Sequence, residues 1–413
     1  MAIDRDANIL GSAEYNFQPG LRISEPLPDL WRTALFSLIE QISPEIRGSV
    51  ERIVINGTSA TVLLCDRHGE PVTEPLLYND GRGVEVMDSL RAIAPAAHPV
   101  ISATSSLAKL LWWQTNRYDL DFSHLYFLHQ ADWLSFLLHG ELGISDYHNT
   151  LKLGADPEHL RYPQWLLDGL HRIFGDSKPH LPKIVKSGTP IGTVTSEIAQ
   201  QLGVPRDCVV CAGTTDSIAA FLASVAKQPG EAVTSLGSTL VLKLLSHTRV
   251  DNARYGIYSH RLGNLWLTGG ASNSGGAVLR QFFTDEELIE LSQKIDPQQA
   301  SPLDYYPLTK PGERFPINDP QLLPRLDPRP NQSQEFLHGL LQGMARIEAK
   351  GYELLQELGA SPLKQVYTAG GGAKNAVWTR IRQGYLPVPV MISPQTEAAY
   401  GSAMLGKMSD IPD

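Results

Sequence analysis

Apolar positions follow two periods along this chain. Two short apolar runs, residues 1–3 and 9–10, flank Asp4-Arg-Asp-Ala-Asn8, turn chemistry that predicts a hairpin. Leu30, Leu35, Leu38, Ile39 and Ile42 recur at helical spacing, and residues 105–114 and 128–138 also read as helices. Residues 52–64 form two apolar runs around Asn56-Gly57-Thr58-Ser59. Residues 209–212 read as a buried strand, and 217–226 as a helix rich in small residues.

Gln228-Pro229-Gly230 breaks the pattern and marks the expected boundary between domains 1–228 and 229–413. Beyond it, residues 232–245 predict strand, turn and strand around Gly237-Ser238-Thr239. A strand over 266–268 ends in Gly269-Gly270-Ala271-Ser272-Asn273. Residues 302–330, rich in proline and charge, read as a long surface loop. A long amphipathic helix is expected over 336–358, a strand over 366–369, a turn at Gly370-Gly371-Gly372, and helices over 375–383 and 397–407. Strands and helices alternate in both halves, which argues for α/β layers.

Length changes this picture little: 413 residues suit two or three domains. Apolar residues at 42%, charged residues at 19% and a net charge of −9 argue against a disordered tail or a general nucleic-acid binder. An acidic chain still holds ATP, because local amides and Mg²⁺ meet the phosphates. Three cysteines, Cys65, Cys208 and Cys211, are too few for a disulfide framework. Cys208-Val-Val-Cys211 lies in a strand-like run that sends its ends to opposite faces, and no second C-x-x-C completes a zinc site. The apolar stretch around 107–113 is too short for a membrane span and is interrupted by Lys109. The N-terminus lacks a signal pattern. The expectation is a cytoplasmic enzyme with small-molecule partners, no nucleic acid and no membrane.

Gly213-Thr214-Thr215-Asp216 follows an apolar strand and precedes a helix, so Asp216 sits where open α/β sheets present their ligands. An enzyme that phosphorylates an alcohol needs a base within reach of the hydroxyl. On spacing alone the position suits an ordinary helix cap better than a base, since caps are common and bases rare. Ser235-Leu236-Gly237-Ser238-Thr239 offers amides and hydroxyls to a phosphate, or is a plain turn. Gly269-Gly270-Ala271-Ser272-Asn273-Ser274-Gly275-Gly276 and Thr368-Ala369-Gly370-Gly371-Gly372-Ala373-Lys374-Asn375 are glycine-rich enough to bring backbone close to a flat or charged ligand. Gly401-Ser-Ala-Met-Leu-Gly406-Lys407-Met408 fits G-x-x-x-x-G-K, but it lacks the final Ser/Thr and lies in a helical run. The twelve histidines form no metal-ligand motif, with His129 and His338 in helical runs, and no G-x-S-x-G elbow occurs.

Taken in order, these elements resemble the FGGY carbohydrate kinases. The order is Gly-x-x-Asp, then Leu-Gly-Ser-Thr, Gly-Gly-Ala-Ser-Asn, Gly-Gly-Gly-Ala-x-Asn and Glu-Ala-Ala-x-Gly-Ser-Ala. Ala131-Asp132-Trp133-Leu134 and Ser145-Asp146-Tyr147-His148-Asn149 extend the resemblance over essentially the whole chain. It is nearest to the cyanobacterial and plant D-ribulose kinase subgroup, through Gln130-Ala-Asp-Trp-Leu, Asp146-Tyr-His-Asn, Cys211-Ala-Gly-Thr-Thr-Asp-Ser-Ile-Ala-Ala-Phe and Gly370-Gly-Gly-Ala-Lys-Asn-Ala-Val-Trp378.

The resemblance implies two actin-like, ribonuclease-H-like ATPase domains with a cleft between them, using ATP and Mg²⁺. Asp216 would be the catalytic base touching the sugar, with Ser59 lining the sugar site. Gly237 and Ser238 would meet the β- and γ-phosphates. Gly270, Gly371, Gly372, Ala373, Lys374 and Asn375 would line the rest of the nucleotide, with Trp378 near its base. No metal ligand is assigned. Two departures stand out. Tyr78-Asn79-Asp80-Gly81-Arg82 replaces the Trp-Asn-Asp-x-Arg of xylulose kinases. Family members also begin with a strand and an Asp-Phe-Gly-Thr-Ser-type phosphate loop, just before the point where this chain starts. An internal methionine read as the start, with about fifteen more residues upstream, is the expectation. A second reading is a nucleotide-binding protein with little catalysis.

Overall fold

The computed structural model describes residues 1–17, 25–96 and 98–408. The chain forms two compact units, Met1–Ala223 with Glu397–Asp413, and Ser224–Thr396.

In the first unit the expected hairpin pairs Ala2–Ile3 with Ile9–Gly11. The Asp4 carboxylate accepts from the backbone N–H groups of Asp6 and Asn8 and closes its turn. A three-stranded sheet runs in the order Arg52–Gly57, Val209–Thr215, Pro190–Thr193. The first two strands are parallel, with Gly57 opposite Thr215, so they end together. Two smaller sheets pair Val62–Cys65 with Tyr126–His129 and Ile144–Asp146 with Lys183–Val185. The helix Ser106–Asn116 buries Leu107, Leu110, Leu111 and Trp113 in a core shared with Phe122, Phe127, Leu166 and Leu170.

The second compact unit begins near the expected boundary at 228/229, and the C-terminal helix Ala398–Met408 packs within the first unit. Its Gly401 packs so closely on the helix Asp216–Ala223 that an added Cβ would lie 1.7 Å from the Ala219 carbonyl oxygen. Ser402 Oγ accepts from Asn56, the Gly406 carbonyl from Arg52, and Tyr400 OH donates to the Ala7 carbonyl. These bonds join it to the strand and hairpin of that unit. Gly401 and Gly406 are buried within a continuous helix, so Gly401–Lys407 is a packing face and not a strand-to-helix phosphate loop. The last five residues of the expected second domain lie outside the described residues.

The second unit is built on a six-stranded sheet. Its order is Tyr258–Leu262, Leu265–Ser272, Leu240–Ser246, Glu231–Leu236, Gln365–Ala369, Val390–Ile392. The first four strands are antiparallel neighbours, and the last two run parallel to Glu231–Leu236. The helix Ser333–Glu357 lays Leu337, Leu340, Leu341, Met344, Ile347 and Leu355 into the core. Residues 302–330 are irregular, as expected of a loop, but they do not lie wholly on the surface. Leu303, Tyr305, Leu308 and Phe315 are buried, so this irregular segment supplies side chains that the sheet lacks. Phe315 fills the space over Gly270, where an added Cβ would meet its ring at 2.4 Å.

Candidate active site

In the first unit, the paired ends of Arg52–Gly57 and Val209–Thr215 deliver Thr58-Ser59 and Asp216 to the same edge. Asp216 is half-buried at the first turn of Asp216–Ala223. Its Oδ1 accepts from the Ser217 backbone N–H at 2.6 Å, and among the described residues nothing bonds Oδ2. A carboxylate oxygen held on a rigid strand end and left unpaired can take a proton.

The Thr58–Thr61 turn beside it is braced. Gln130 Oε1 accepts from the Thr58 backbone N–H and is within reach of its hydroxyl, and Thr61 Oγ1 accepts from the Tyr78 N–H. Ser59 itself is half-buried. Just beyond Tyr78, Asp80 and Arg82 form a forked ion pair at 2.6 and 3.1 Å. Hydrogen bonding from Arg82 holds the Asp80 carboxyl below the usual carboxylate range. Arg82 also lies over the Trp112 ring, 4.7 Å from its centre.

Beneath Asp216 is a layer of enclosed polar groups. His148 Nδ1 lies 2.7 Å from Thr214 Oγ1 and 3.0 Å from Ser187 Oγ. Asp146 accepts from the backbone N–H groups of His148 and Asn149 and from the Asn149 amide. Burial, with the nearby Asp132 charge, pushes the Asp146 carboxyl up to about 6. Thr215 Oγ1 and Asn149 Oδ1 are buried without a partner among the described residues. Ser106, His129 and Asp132 form a serine–histidine–aspartate string, with Ser106 Oγ 3.1 Å from His129 Nε2 and His129 Nδ1 3.0 Å from Asp132. Ser106 and His129 are fully enclosed, so the string is packing.

In the second unit three glycine-bearing segments converge at the ends of Glu231–Leu236 and Gln365–Ala369. The hairpin turn Gly237-Ser238-Thr239 closes the pair Leu236 and Leu240. The Gly276 N–H donates to the Gly237 carbonyl at 2.9 Å and the Ala277 N–H to the Ser238 carbonyl at 3.0 Å. Gly370 sits beside Leu236 with φ +82. Ser238, Gly370, Gly371 and Lys374 are exposed, and Gly237 and Gly372 half-exposed.

Not every expected contact joins this surface. Gly270 is buried within the strand Leu265–Ser272, and its missing side chain is accounted for by Phe315. Ala373 is buried. The half-exposed Asn375 caps the helix Ala376–Tyr385, its Oδ1 accepting from the Trp378 N–H while its Nδ2 donates to Ser292 Oγ. Trp378 is 2% exposed and lies against Gly372, so it forms the floor under the turn and not an open stacking face. Its Nε1 and Ser274 Oγ are buried without partners among the described residues.

Sequence reasoning gave no role to four buried charges. Glu313 accepts from the Ser272 and Tyr306 hydroxyls and the Asn273 N–H, which pins the segment leading to Gly275-Gly276. Glu348 and Arg382 form a buried ion pair. Lys109 has no solvent exposure. The one available signal was a charge set within an apolar face or run.

A two-unit α/β chain with a carboxylate at one strand end and clustered glycine turns at another defines a phosphoryl-transferring enzyme of the actin-like ATPase fold. The chain belongs to the FGGY family of carbohydrate kinases: the family's N-terminal domain matches residues 1–223 and its C-terminal domain residues 232–409. It is 23% identical to a xylulose kinase of Staphylococcus xylosus over 97% of this chain and 85% of that one. It is 22% identical to an L-fuculokinase of Salmonella typhi over 98% and 89%. The crystal structure of a gluconate kinase from Lactobacillus acidophilus superposes with a TM-score of 0.81 at 18% identity, covering 98% of this chain and 86% of that chain. No helix among the described residues is long and apolar enough to cross a membrane.

Proposed function

We propose that this sugar kinase moves the γ-phosphoryl group of ATP onto a hydroxyl of a ketopentose, D-ribulose, with Asp216 as general base. The carrying observation is the unpaired oxygen of Asp216 beside Thr58-Ser59 on paired strand ends. Asp216 takes the hydroxyl proton as the sugar oxygen bonds the γ-phosphorus, the bond from that phosphorus to the β-bridging oxygen breaks, and ADP leaves. Ser59 and the Asp80–Arg82 pair orient the sugar.

The second unit supports the nucleotide half. Gly237, Ser238, Gly371, Gly372 and Lys374 present backbone and side-chain donors on one exposed edge, and two buried polar atoms there, Ser274 Oγ and Trp378 Nε1, lack partners among the described residues. Asn375 acts by shaping that turn through its cap. Mg²⁺ needs no all-protein cage, and no cluster of three or more ligand side chains occurs among the described residues. The ion fits as a companion of the phosphates, whose charge it neutralises.

D-xylulose is the second reading, favoured by the retained Asn79-Asp80-Gly81-Arg82 and by the likeness to the Staphylococcus xylosus xylulose kinase. Tyr78 in place of tryptophan weakens that second reading. A coupled ADP-release assay with D-ribulose beside D-xylulose tests the choice. The higher kcat/KM is expected for D-ribulose, and a clear preference for D-xylulose transfers the assignment. Intact ATP binding with no sugar-dependent turnover over a polyol panel leaves a nucleotide-binding protein.

A further inference from the structure

Lys109 lies on Ser106–Asn116, flanked by core leucines, and no carboxylate pairs with it among the described residues. A buried ammonium is costly unless its N–H groups are met. Here two backbone carbonyls meet them: Nζ donates to Ala60 O at 2.6 Å and to Leu77 O at 2.7 Å. Each carbonyl belongs to a tight turn. The first is closed by Thr61 N–H on Thr58 O, the second by Asp80 N–H on Leu77 O. Ala60 is the third residue of its turn, with φ +63 and no exposure. Glycine or asparagine ordinarily takes such a place, and a side chain there persists only where its surroundings enforce it. Leu77 O, already taking the Asp80 N–H, is the anchor of the loop that carries Asp80 and Arg82.

We propose that Lys109 is a positioning residue for sugar recognition: its buried ammonium ties the Thr58–Thr61 turn to the Leu77–Asp80 turn and so sets how Ser59 and the Asp80–Arg82 pair are presented. The inference rests on the sugar-kinase reading for its substrate, but the clamp itself does not. Charge strengthens both hydrogen bonds. Burial pushes the Lys109 ammonium down to about 7. Asp80 counters this, while Lys152 and Arg82 add to it. Farther off, Glu85 bonds Trp112, and the His129–Asp132 pair meets Ser106. The charge that ties the turns is present below about pH 7 and is lost above it, so the KM for sugar rises with pH through that range.

The test compares wild type, Lys109→Met, and Lys109→Met with Ala60→Gly, by steady-state kinetics and by amide hydrogen exchange on the unliganded protein. In Lys109→Met, the KM for sugar is expected to rise about tenfold or more, with the KM for ATP within about twofold, and the pH dependence of the sugar KM near 7 to vanish. Exchange should quicken at residues 58–61 and 77–80 and stay unchanged in the second unit. Glycine at 60 adopts the turn without strain, so the double variant should regain several-fold of the lost sugar affinity. Unchanged exchange at both turns overturns the clamp, as does a uniform loss of protection with no rescue by Ala60→Gly. If wild type turns over no sugar, the kinase reading fails, while the exchange result still decides the clamp.

Discussion

Thr234 and Thr368 stand opposite each other in the parallel pair of strands that carries the glycine turns, and one buried ion pair grips both. Thr234 Oγ1 donates to Glu348, and Arg382 Nη1 donates to Thr368 Oγ1 at 2.6 Å. Arg382 and Glu348 meet in a fork at 2.6 and 2.7 Å, with neither side chain more than 1% exposed. The register of the two strands is thus fixed by side chains a few residues before Gly237 and Gly370.

Removing one partner leaves a charge without compensation in the core. Arg382→Met is expected to destabilise the protein by about 3–5 kcal/mol. Pairing it with Glu348→Gln should recover part of that loss, because the buried charge goes too. Urea unfolding of the single and double variants checks this. Additive losses would mean that the two side chains act separately.

Asp216→Asn keeps the shape of the strand end and removes the proposed base. It should lower kcat at least ~100-fold, while nucleotide binding measured by calorimetry persists. Turnover close to wild type would refute the role of Asp216.

Asp146 gives a pH signature of opposite sign to most carboxylates. Its native pKa, pushed up to about 6, lies above the ordinary aspartate value. Between about pH 4 and 6 the native state therefore binds more protons at this site than the unfolded chain. The contribution is full below pH 4 and is lost as pH rises through 6. Asp146→Asn cannot ionise, so its stability relative to wild type should improve by about 2–3 kcal/mol from pH 4 to pH 7. Chemical denaturation across that range reads the difference, and a flat difference would remove Asp146 from the titration.

The parts legible in the sequence were those whose signals are local. The strand, Gly-Thr-Thr-Asp and helix over residues 209–223, and the turn at Gly237-Ser238-Thr239, form where their own residues direct. What was not legible depends on partners far along the chain. The strand expected to stop at Thr268 continues to Ser272, because Phe315 occupies the space that Gly270 leaves. The segment 302–330 reads as polar loop because it buries only scattered side chains, among them Glu313. The C-terminal helix returns to the first unit through small residues, a choice that depends on Ala219 and not on its own periodicity. Lys109 appeared only as a break in an apolar run, since its carbonyl partners are backbone atoms of two distant turns.

Gly370 tests the proposed nucleotide edge. At φ +82, with an added Cβ 2.8 Å from the Leu236 carbonyl oxygen, only glycine fits without strain. Gly370→Ala should displace the turn that leads into Gly371 and Gly372, raising the KM for ATP about tenfold or more with the sugar KM little changed. Equal changes in both constants would place this turn outside nucleotide binding.

Gly401 tests whether helix packing in the first unit sets the position of Asp216, the proposed base. Its helix crosses Asp216–Ala223 with backbone against side, and a methyl group there would overlap the Ala219 carbonyl. Gly401→Ala must push the helices apart, a strain of about 1–3 kcal/mol. Because Asp216 is the first residue of the displaced helix, kcat should fall along with Tm, by about tenfold, while the KM for ATP holds. Thermal unfolding and steady-state kinetics on the same preparation separate the outcomes. A lower Tm with unchanged kcat would show that the strand end alone holds Asp216, and that the contact between these helices serves stability only.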